Sequence, residues 1–128
     1  MGDLTAHFST SEFKCKDGTP VPDQHVGNLR LLAMCLERIR EVYDKPIKVI
    51  SGYRTEAYNE RCGGSKRSKH LEALAADFII EGEHPIEIAL KIEELIEAGE
   101  LPSGCGIGVY QKRFTHFDPR PKRARWTG

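Results

Sequence analysis

Two residues that can bind a metal ion stand seven positions apart in the segment Ser68–Asp77, which reads SKHLEALAAD. His70 offers an imidazole nitrogen and Asp77 offers a carboxylate, and both groups are good ligands for first-row metals. The alanines between them lead into an apolar strand, so the chain can turn back and bring the two side chains together. The segment therefore predicts two ligands of one metal site.

A third protein ligand is needed, because catalytic zinc sites commonly take three such ligands and one water. His116 is the natural choice, since side chains alternate across a strand and FTHFD places Phe114, His116 and Asp118 on one face. Asp118 then either accepts a proton beside the metal, or orients His116 or pairs with Arg120. The remaining histidines have no acidic or histidine partner at such a spacing: His7, His25 and His84.

Local patterns predict the elements that must hold these residues. Apolar residues recur at three- and four-residue steps from Leu29 to Tyr43, which predicts a long helix that ends before Pro46. The other predicted elements are strands over 47–50, 75–80, 107–110 and 114–118, and helices over 55–61 and from Pro85 to Gly99. Helices packed on one face of a small, mostly antiparallel sheet make an α+β domain.

The composition fits one compact domain over 1–128. A chain of 128 residues that is 39% apolar has room for a single core. No apolar run approaches the ~20 residues that cross a bilayer, so no membrane span is expected, and no signal peptide is visible. The four cysteines form no C-x-x-C pair, which excludes the usual structural zinc site, and their spacing leaves their redox state open: Cys15, Cys35, Cys62 and Cys105.

The net charge is zero, but the basic residues form two clusters. One cluster leads into His70, and the other runs from Lys112 to Arg125 with Asp118 as its only acid. The ordinary explanation is a solvated face and a loose tail, and the alternative is attraction of an anionic polymer or a carboxylate-bearing substrate. A neutral domain without interleaved aromatic residues lacks the footprint of nucleic-acid binding, so no nucleic-acid partner is expected.

Three segments resemble the M15 zinc peptidases in content, order and spacing: SGYRTEAYN, GGSKRSKHLEALAAD and GIGVYQKRFTHFD. This family contains D-alanyl-D-alanine carboxypeptidases and related peptidoglycan peptidases of bacteria and phages, and it shares its fold with the hedgehog signalling domain. Its pattern, S-x-H-x-x-G-x-A-x-D followed by a histidine on a later strand, is matched at Ser68, His70, Ala75 and Asp77. The opening HFSTSEF and the closing ARW are similar to the single-domain branch, so the resemblance covers nearly the whole chain.

The resemblance implies one Zn²⁺ per chain, held by His70, Asp77 and His116 with water in the fourth position. Arg54 is similar to the family arginine that faces the site, where it either stabilises a developing oxyanion or forms a structural ion pair. Ser68 either binds the substrate backbone or caps the turn before His70. The implied activity is hydrolysis of an amide bond in peptidoglycan stem peptides, by a protein made in the cytoplasm and acting at the cell wall.

Two features depart from the family pattern. Ala73 stands in place of a glycine, which costs about 1 kcal/mol if that position needs a positive φ. Arg113 stands where some members place the glutamate that serves as general base, and Phe114 stands where others have a second histidine. Asp118 is the remaining acid on that face. The missing base favours, as the alternative function, a non-catalytic zinc domain that binds a cell-wall or protein partner.

Overall fold

The computed structural model describes residues 2–128, which form a mixed α/β structure with three α-helices and one five-stranded sheet. The helices are α1 (Val26–Tyr43), α2 (Glu56–Arg61) and α3 (Pro85–Glu97). The strands are β1 (Lys48–Ser51), β2 (Ala76–Ile79), β3 (Gly106–Tyr110), β4 (Phe114–Asp118) and β5 (Ala124–Thr127). Short 3₁₀ turns lie at Thr10–Phe13, Asp23–His25 and Lys69–Glu72. The α+β prediction is confirmed.

Helices α1 and α3 begin and end where local chemistry demands it. The apolar stripe of α1 is buried, and the helix ends at Asp44, which adopts a left-handed conformation and donates its N–H to the carbonyl of Arg40. Pro85 opens α3, because its fixed φ suits the first helical turn and the missing N–H would have no partner there. Gly99, with φ of +79°, reverses the chain just after α3.

The order of the strands brings two of the predicted ligands side by side. The sheet runs β1-β2-β4-β3-β5, and every neighbouring pair is antiparallel except β3 and β5. In the centre, Asp77 on β2 lies directly opposite His116 on β4, and Gly108 on β3 is the other neighbour of His116. The register therefore places the cluster at the middle of the sheet, where backbone hydrogen bonds hold both flanks.

One face of the sheet packs on a helix, and the other carries the cluster. One face packs against α3, where Thr115 of β4 donates from Oγ1 to the carbonyl of Pro85, and Phe117 joins the hydrophobic core. By the alternation along β4, His116 and Asp118 project from the opposite face. Apolar burial thus stabilises the layer beneath the cluster.

The end of the C-terminal basic cluster lies in a strand, so its interpretation as a loose tail is wrong. Strand β5 pairs in parallel with β3, with Arg125 opposite Ile107. Arg125 donates to the backbone carbonyl of Cys105 and forms a two-pronged ion pair with Glu93 on α3, at 2.7 and 2.9 Å. Ala124 and Trp126 alternate with Arg125 and Thr127 as in a half-buried strand, and these distant partners hold the strand in place.

Across residues 2–128, no helix is long and apolar enough to cross a membrane. The structure contains the four cysteines as free thiols, and only Cys62 is exposed.

Candidate metal centre

His70, Asp77 and His116 meet in the folded protein as the sequence predicted. One potential ligand atom of each residue lies within 4.8 Å of the other two. The three side chains come from different elements, since His70 lies in the turn Lys69–Glu72, Asp77 on β2 and His116 on β4. All three residues are buried, with 3 to 6% of their surface exposed. Three buried side chains of this type form a cluster that can hold a metal ion.

The turn that carries His70 is closed at both ends. At its start, Ser68 Oγ accepts a hydrogen bond from the backbone N–H of His70 at 3.2 Å, which is the capping role considered for this serine. At its end, Ala73 has φ of +56° and ψ of +34°, and its N–H donates to the carbonyl of His70. The position where the family has glycine thus does require a left-handed backbone, which costs alanine about 1 kcal/mol. This bend directs the chain into β2 and toward Asp77.

The hydrogen bonds of His70 determine which of its nitrogens can bind a metal. Nδ1 lies 2.6 Å from the carbonyl oxygen of Gly52, and a carbonyl only accepts, so Nδ1 carries the proton. Burial lowers the pKa of His70 despite the nearby Asp77 carboxylate, which favours the neutral ring. The lone pair of Nε2 then points at Asp77 Oδ1, 3.3 Å away. Two electron-pair donors that face each other across this distance are stabilised by a cation between them.

His116 is held between two carboxylates. Its Nε2 lies 2.7 Å from Asp118 Oδ2, and its Nδ1 lies 2.9 Å from Asp77 Oδ1. Burial disfavours the charged ring, but the hydrogen bonds to Asp118 and Asp77 outweigh burial and raise the pKa of His116. A positive charge between Nδ1 and Asp77 is therefore favourable, either as a second proton or as a metal ion. With a metal ion there, Asp118 would keep the proton on Nε2 and leave the Nδ1 lone pair for the metal.

Asp118 is fully buried and all of its acceptor positions are used. Oδ1 accepts from the backbone N–H and the Nε of Arg120, at 3.2 and 2.7 Å. Oδ2 accepts from Arg120 Nη2 at 2.8 Å and from His116. Burial raises the pKa of Asp118, but the hydrogen bonds from Arg120 and His116 lower it strongly, so the carboxylate stays charged. It lies behind His116, on the side away from Asp77.

Arg54 forms an ion pair with Asp77. Its Nη2 donates to Asp77 Oδ2 at 3.1 Å, Nε donates to Ser51, and Nη1 donates to the side chain of Asn59. Asn59, itself buried, donates to the carbonyl of Ser65 and so ties α2 to the loop before His70. Burial raises the pKa of Asp77, but the hydrogen bond from His116 and the neighbouring His70 ring outweigh burial, so its pKa falls well below the usual range. This carboxylate is an anionic ligand at neutral pH.

The cluster forms part of the wall of a cavity of about 850 Å³. Asp77 is the only acidic residue among those that line it within the described chain. The cationic lining residues are Lys16, Arg54, Arg67, Lys69, Arg113 and Arg120, and the aromatic ones are Tyr58, Tyr110, Phe114 and Trp126. Arg113 and Phe114, which stand where members of the family carry the general base, both line the cavity, and the guanidinium of Arg113 lies over the Phe114 ring. The cavity therefore suits an anionic ligand.

Several residues that support the cluster were not singled out from the sequence. Gly52 contacts His70 and has no room for a side chain, since a Cβ would lie 2.8 Å from the backbone of Phe13. Trp126 packs beside His116, with 4.8 Å between the ring centroids. The only sequence signals for these two residues were their places in the segments SGYR and ARW, which indicate resemblance but no contact.

Comparisons with known proteins agree with the motifs. The family model described as Peptidase M15 matches residues 6–118. The matched range contains all three members of the cluster and the segment from Ser68 to Asp77. A search of curated proteins found no match.

Proposed function

The chain belongs to peptidase family M15, and we propose that it uses one zinc ion to hydrolyse an amide bond in peptidoglycan stem peptides, as a carboxypeptidase or endopeptidase. The observation that carries this proposal is the convergence of His70 Nε2, Asp77 Oδ1 and His116 Nδ1 in the wall of a basic cavity. Three such donors are the usual protein ligands of catalytic zinc. Bound zinc supplies a polarising charge and lowers the pKa of a coordinated water to about 7.

The residues behind the ligands are proposed to hold them in place. The Gly52 carbonyl keeps the proton of His70 on Nδ1, and Asp118 keeps the proton of His116 on Nε2. A carboxylate can accept about four hydrogen bonds, and Asp118 already accepts that many from His116 and Arg120. This supports an orienting role for Asp118 and argues against its use as the general base.

Arg54 is proposed to serve both ligand and substrate. Three of its N–H groups hold Asp77, Ser51 and Asn59, which supports the structural ion pair considered from the sequence. A guanidinium has five N–H donors, so each Nη atom keeps one hydrogen for a further acceptor. Because Arg54 lines the cavity, those hydrogens are available to the oxyanion that develops on a scissile carbonyl. Ser68 is already engaged as a cap, which supports a structural role for its hydroxyl.

The proposed substrate is a peptide that carries free carboxylates. Within residues 2–128, six cationic residues line the cavity against the single acid Asp77. A cleft lined by one sign of charge focuses the field and attracts ligands of the opposite sign. Stem peptides of the cell wall have this chemistry, so we place the site of action at the cell wall.

A non-catalytic binding function is the second candidate, and one observation favours it. The cavity holds no carboxylate besides Asp77 among residues 2–128, so no acidic side chain is placed to take a proton from water. The same zinc centre would then hold a cell-wall peptide or a protein partner without turnover.

Incubation of the zinc-loaded protein with purified peptidoglycan separates these functions. New amine termini or free D-alanine in the released fragments, found by mass spectrometry, would support the enzyme. Intact sacculi that retain the protein would support the binder. If the protein neither releases fragments nor stays bound to the sacculi, both functions are rejected. His70→Ala is the metal-free variant, and His25→Ala, outside the cluster, is its matched control. Elemental analysis that shows full zinc in His70→Ala would contradict the ligand assignment.

A further inference from the structure

Trp126 is the only tryptophan of the chain. It lies beside the cluster of His70, Asp77 and His116, although it comes from the last strand. Its ring centroid is 4.8 Å from that of His116, with the ring planes inclined at 53°. Its Nε1–H donates to the hydroxyl of Tyr110 at 2.9 Å. A Cβ on Gly108 would lie 2.5 Å from this nitrogen, so the indole can occupy its place only because residue 108 has no side chain.

Trp126 is part of a chain of contacts that surrounds His116. The guanidinium of Arg120 lies over the indole at 5.3 Å and pairs with Asp118. Asp118 in turn bonds to His116 Nε2. On another side, the ring of His70 meets that of His116 edge-on, with 5.1 Å between centroids. His116 is thus bounded by a hydrogen bond at each nitrogen, to Asp118 and to Asp77, and by rings on its sides.

We propose that Trp126 is a positioning residue of the metal centre, which keeps His116 Nδ1 aimed at the point shared with Asp77 and His70. The physical reason is that the hydrogen bond donated by His116 Nε2 to Asp118 restrains that nitrogen but, without a proton on Nδ1, leaves the imidazole free to pivot about it. A packed indole removes that freedom, so less rotational entropy is lost when the metal binds. The proposal rests on the metal centre of the proposed function.

One consequence is that β5 helps to form the metal site although it carries none of the three proposed ligands. Trp126 occupies its position through the pairing of β5 with β3, where it lies opposite Gly108. This chain of contacts depends on a small residue at position 108 and an aromatic ring at position 126. Substitutions at these two positions should therefore weaken metal binding without removing any ligand.

The test measures zinc affinity by competition with a chromophoric chelator, together with the free energy of unfolding of each apoprotein. Trp126→Ala should weaken zinc binding on the order of tenfold or more, as removal of supporting residues commonly does. Trp126→Phe should restore most of the affinity, because a phenyl ring still covers the imidazole. Gly108→Ala should weaken binding although the tryptophan is present, since its Cβ displaces the indole.

Leu95→Ala is the control for general destabilisation, because Leu95 is buried on α3 and does not line the cavity. It should unfold more easily yet bind zinc as the wild type does. If Leu95→Ala loses as much affinity as Trp126→Ala, or if Trp126→Ala and Gly108→Ala bind normally, the proposal is overturned. Should Trp126→Ala fail to fold, Gly108→Ala decides in its place, with Trp126→Phe as the rescue comparison.

A second readout needs no enzymatic activity. One equivalent of Co²⁺ bound at the cluster should quench the fluorescence of Trp126, because an open-shell ion would lie close to the only indole. Bound Co²⁺ without quenching would overturn the inferred proximity. A wild-type protein that binds neither Zn²⁺ nor Co²⁺ would contradict the metal centre itself, and this inference with it. Normal wild-type binding with unaffected Trp126 variants would contradict the positioning role alone.

Discussion

Asp118→Asn is the substitution that distinguishes an orienting residue from a general base. The change keeps the shape of the side chain and removes the charge that Arg120 pairs with in the fully buried position. Breaking a buried ion pair costs about 3–5 kcal/mol. Because the Arg120 side chain keeps 26% of its surface exposed, water compensates part of the loss, and we expect the lower end, about 3 kcal/mol.

The same substitution should also weaken the metal site. Asparagine has one acceptor oxygen and one NH₂ group in place of the two carboxylate oxygens. If the oxygen faces Arg120, the NH₂ group meets His116 Nε2, which must then accept, and the ring proton moves to Nδ1, the nitrogen proposed to bind zinc. If the oxygen faces His116, the NH₂ group meets an N–H of Arg120. Either arrangement should loosen zinc by about 10- to 100-fold.

The assay measures zinc affinity and turnover on one preparation. An orienting role predicts that activity falls with zinc occupancy and recovers at saturating zinc. A general base predicts full zinc with turnover reduced by roughly 10²–10⁴-fold. Unchanged zinc affinity would refute the orienting role, and wild-type behaviour in both measurements would exclude both roles. Glu41→Gln is the control, because it makes the same chemical change in an arginine pair on α1, outside the cavity.

Three further predictions concern the fold and the ligand set. Ala73→Gly should leave the free energy of unfolding in urea almost unchanged. The reason is that relief of about 1 kcal/mol of left-handed strain offsets the loss of a buried methyl worth about 0.8 kcal/mol. Ala73→Val should be clearly destabilising, and a stable valine variant would contradict the observed φ. The hydrogen bond from Arg125 lowers the pKa of Glu93 below its ordinary 4.5, so the pair stabilises the protein above that pH and the contribution is lost as pH falls through the lower folded pKa. Glu93→Gln should therefore flatten the acid limb of a stability–pH curve, by less than about 1 kcal/mol because the pair is solvent-screened, and an unaltered curve would contradict the pair. Cobalt-substituted protein should show no strong sulfur-to-cobalt band in its absorption spectrum, since no cysteine belongs to the cluster.

Local patterns determined most of the elements and the three members of the cluster. Helix α1 was predictable because its apolar stripe repeats with the helical period and is interrupted near Pro46. His70, Asp77 and His116 were identified from residue type, strand alternation and the family motif. Each of these signals acts over a few neighbouring residues, which is the range over which backbone preferences are encoded.

The supporting residues were decided by tertiary structure alone. Strand β5 was not predicted, because its alternation covers only four residues; its pairing with β3 and the contacts of Arg125 with the Cys105 carbonyl and Glu93 hold it in place. The proton positions on His70 and His116 depend on Gly52 and Asp118, whose contacts arise only when separate elements meet in the fold. Such contacts follow from strand order and register, which depend on packing of the whole chain.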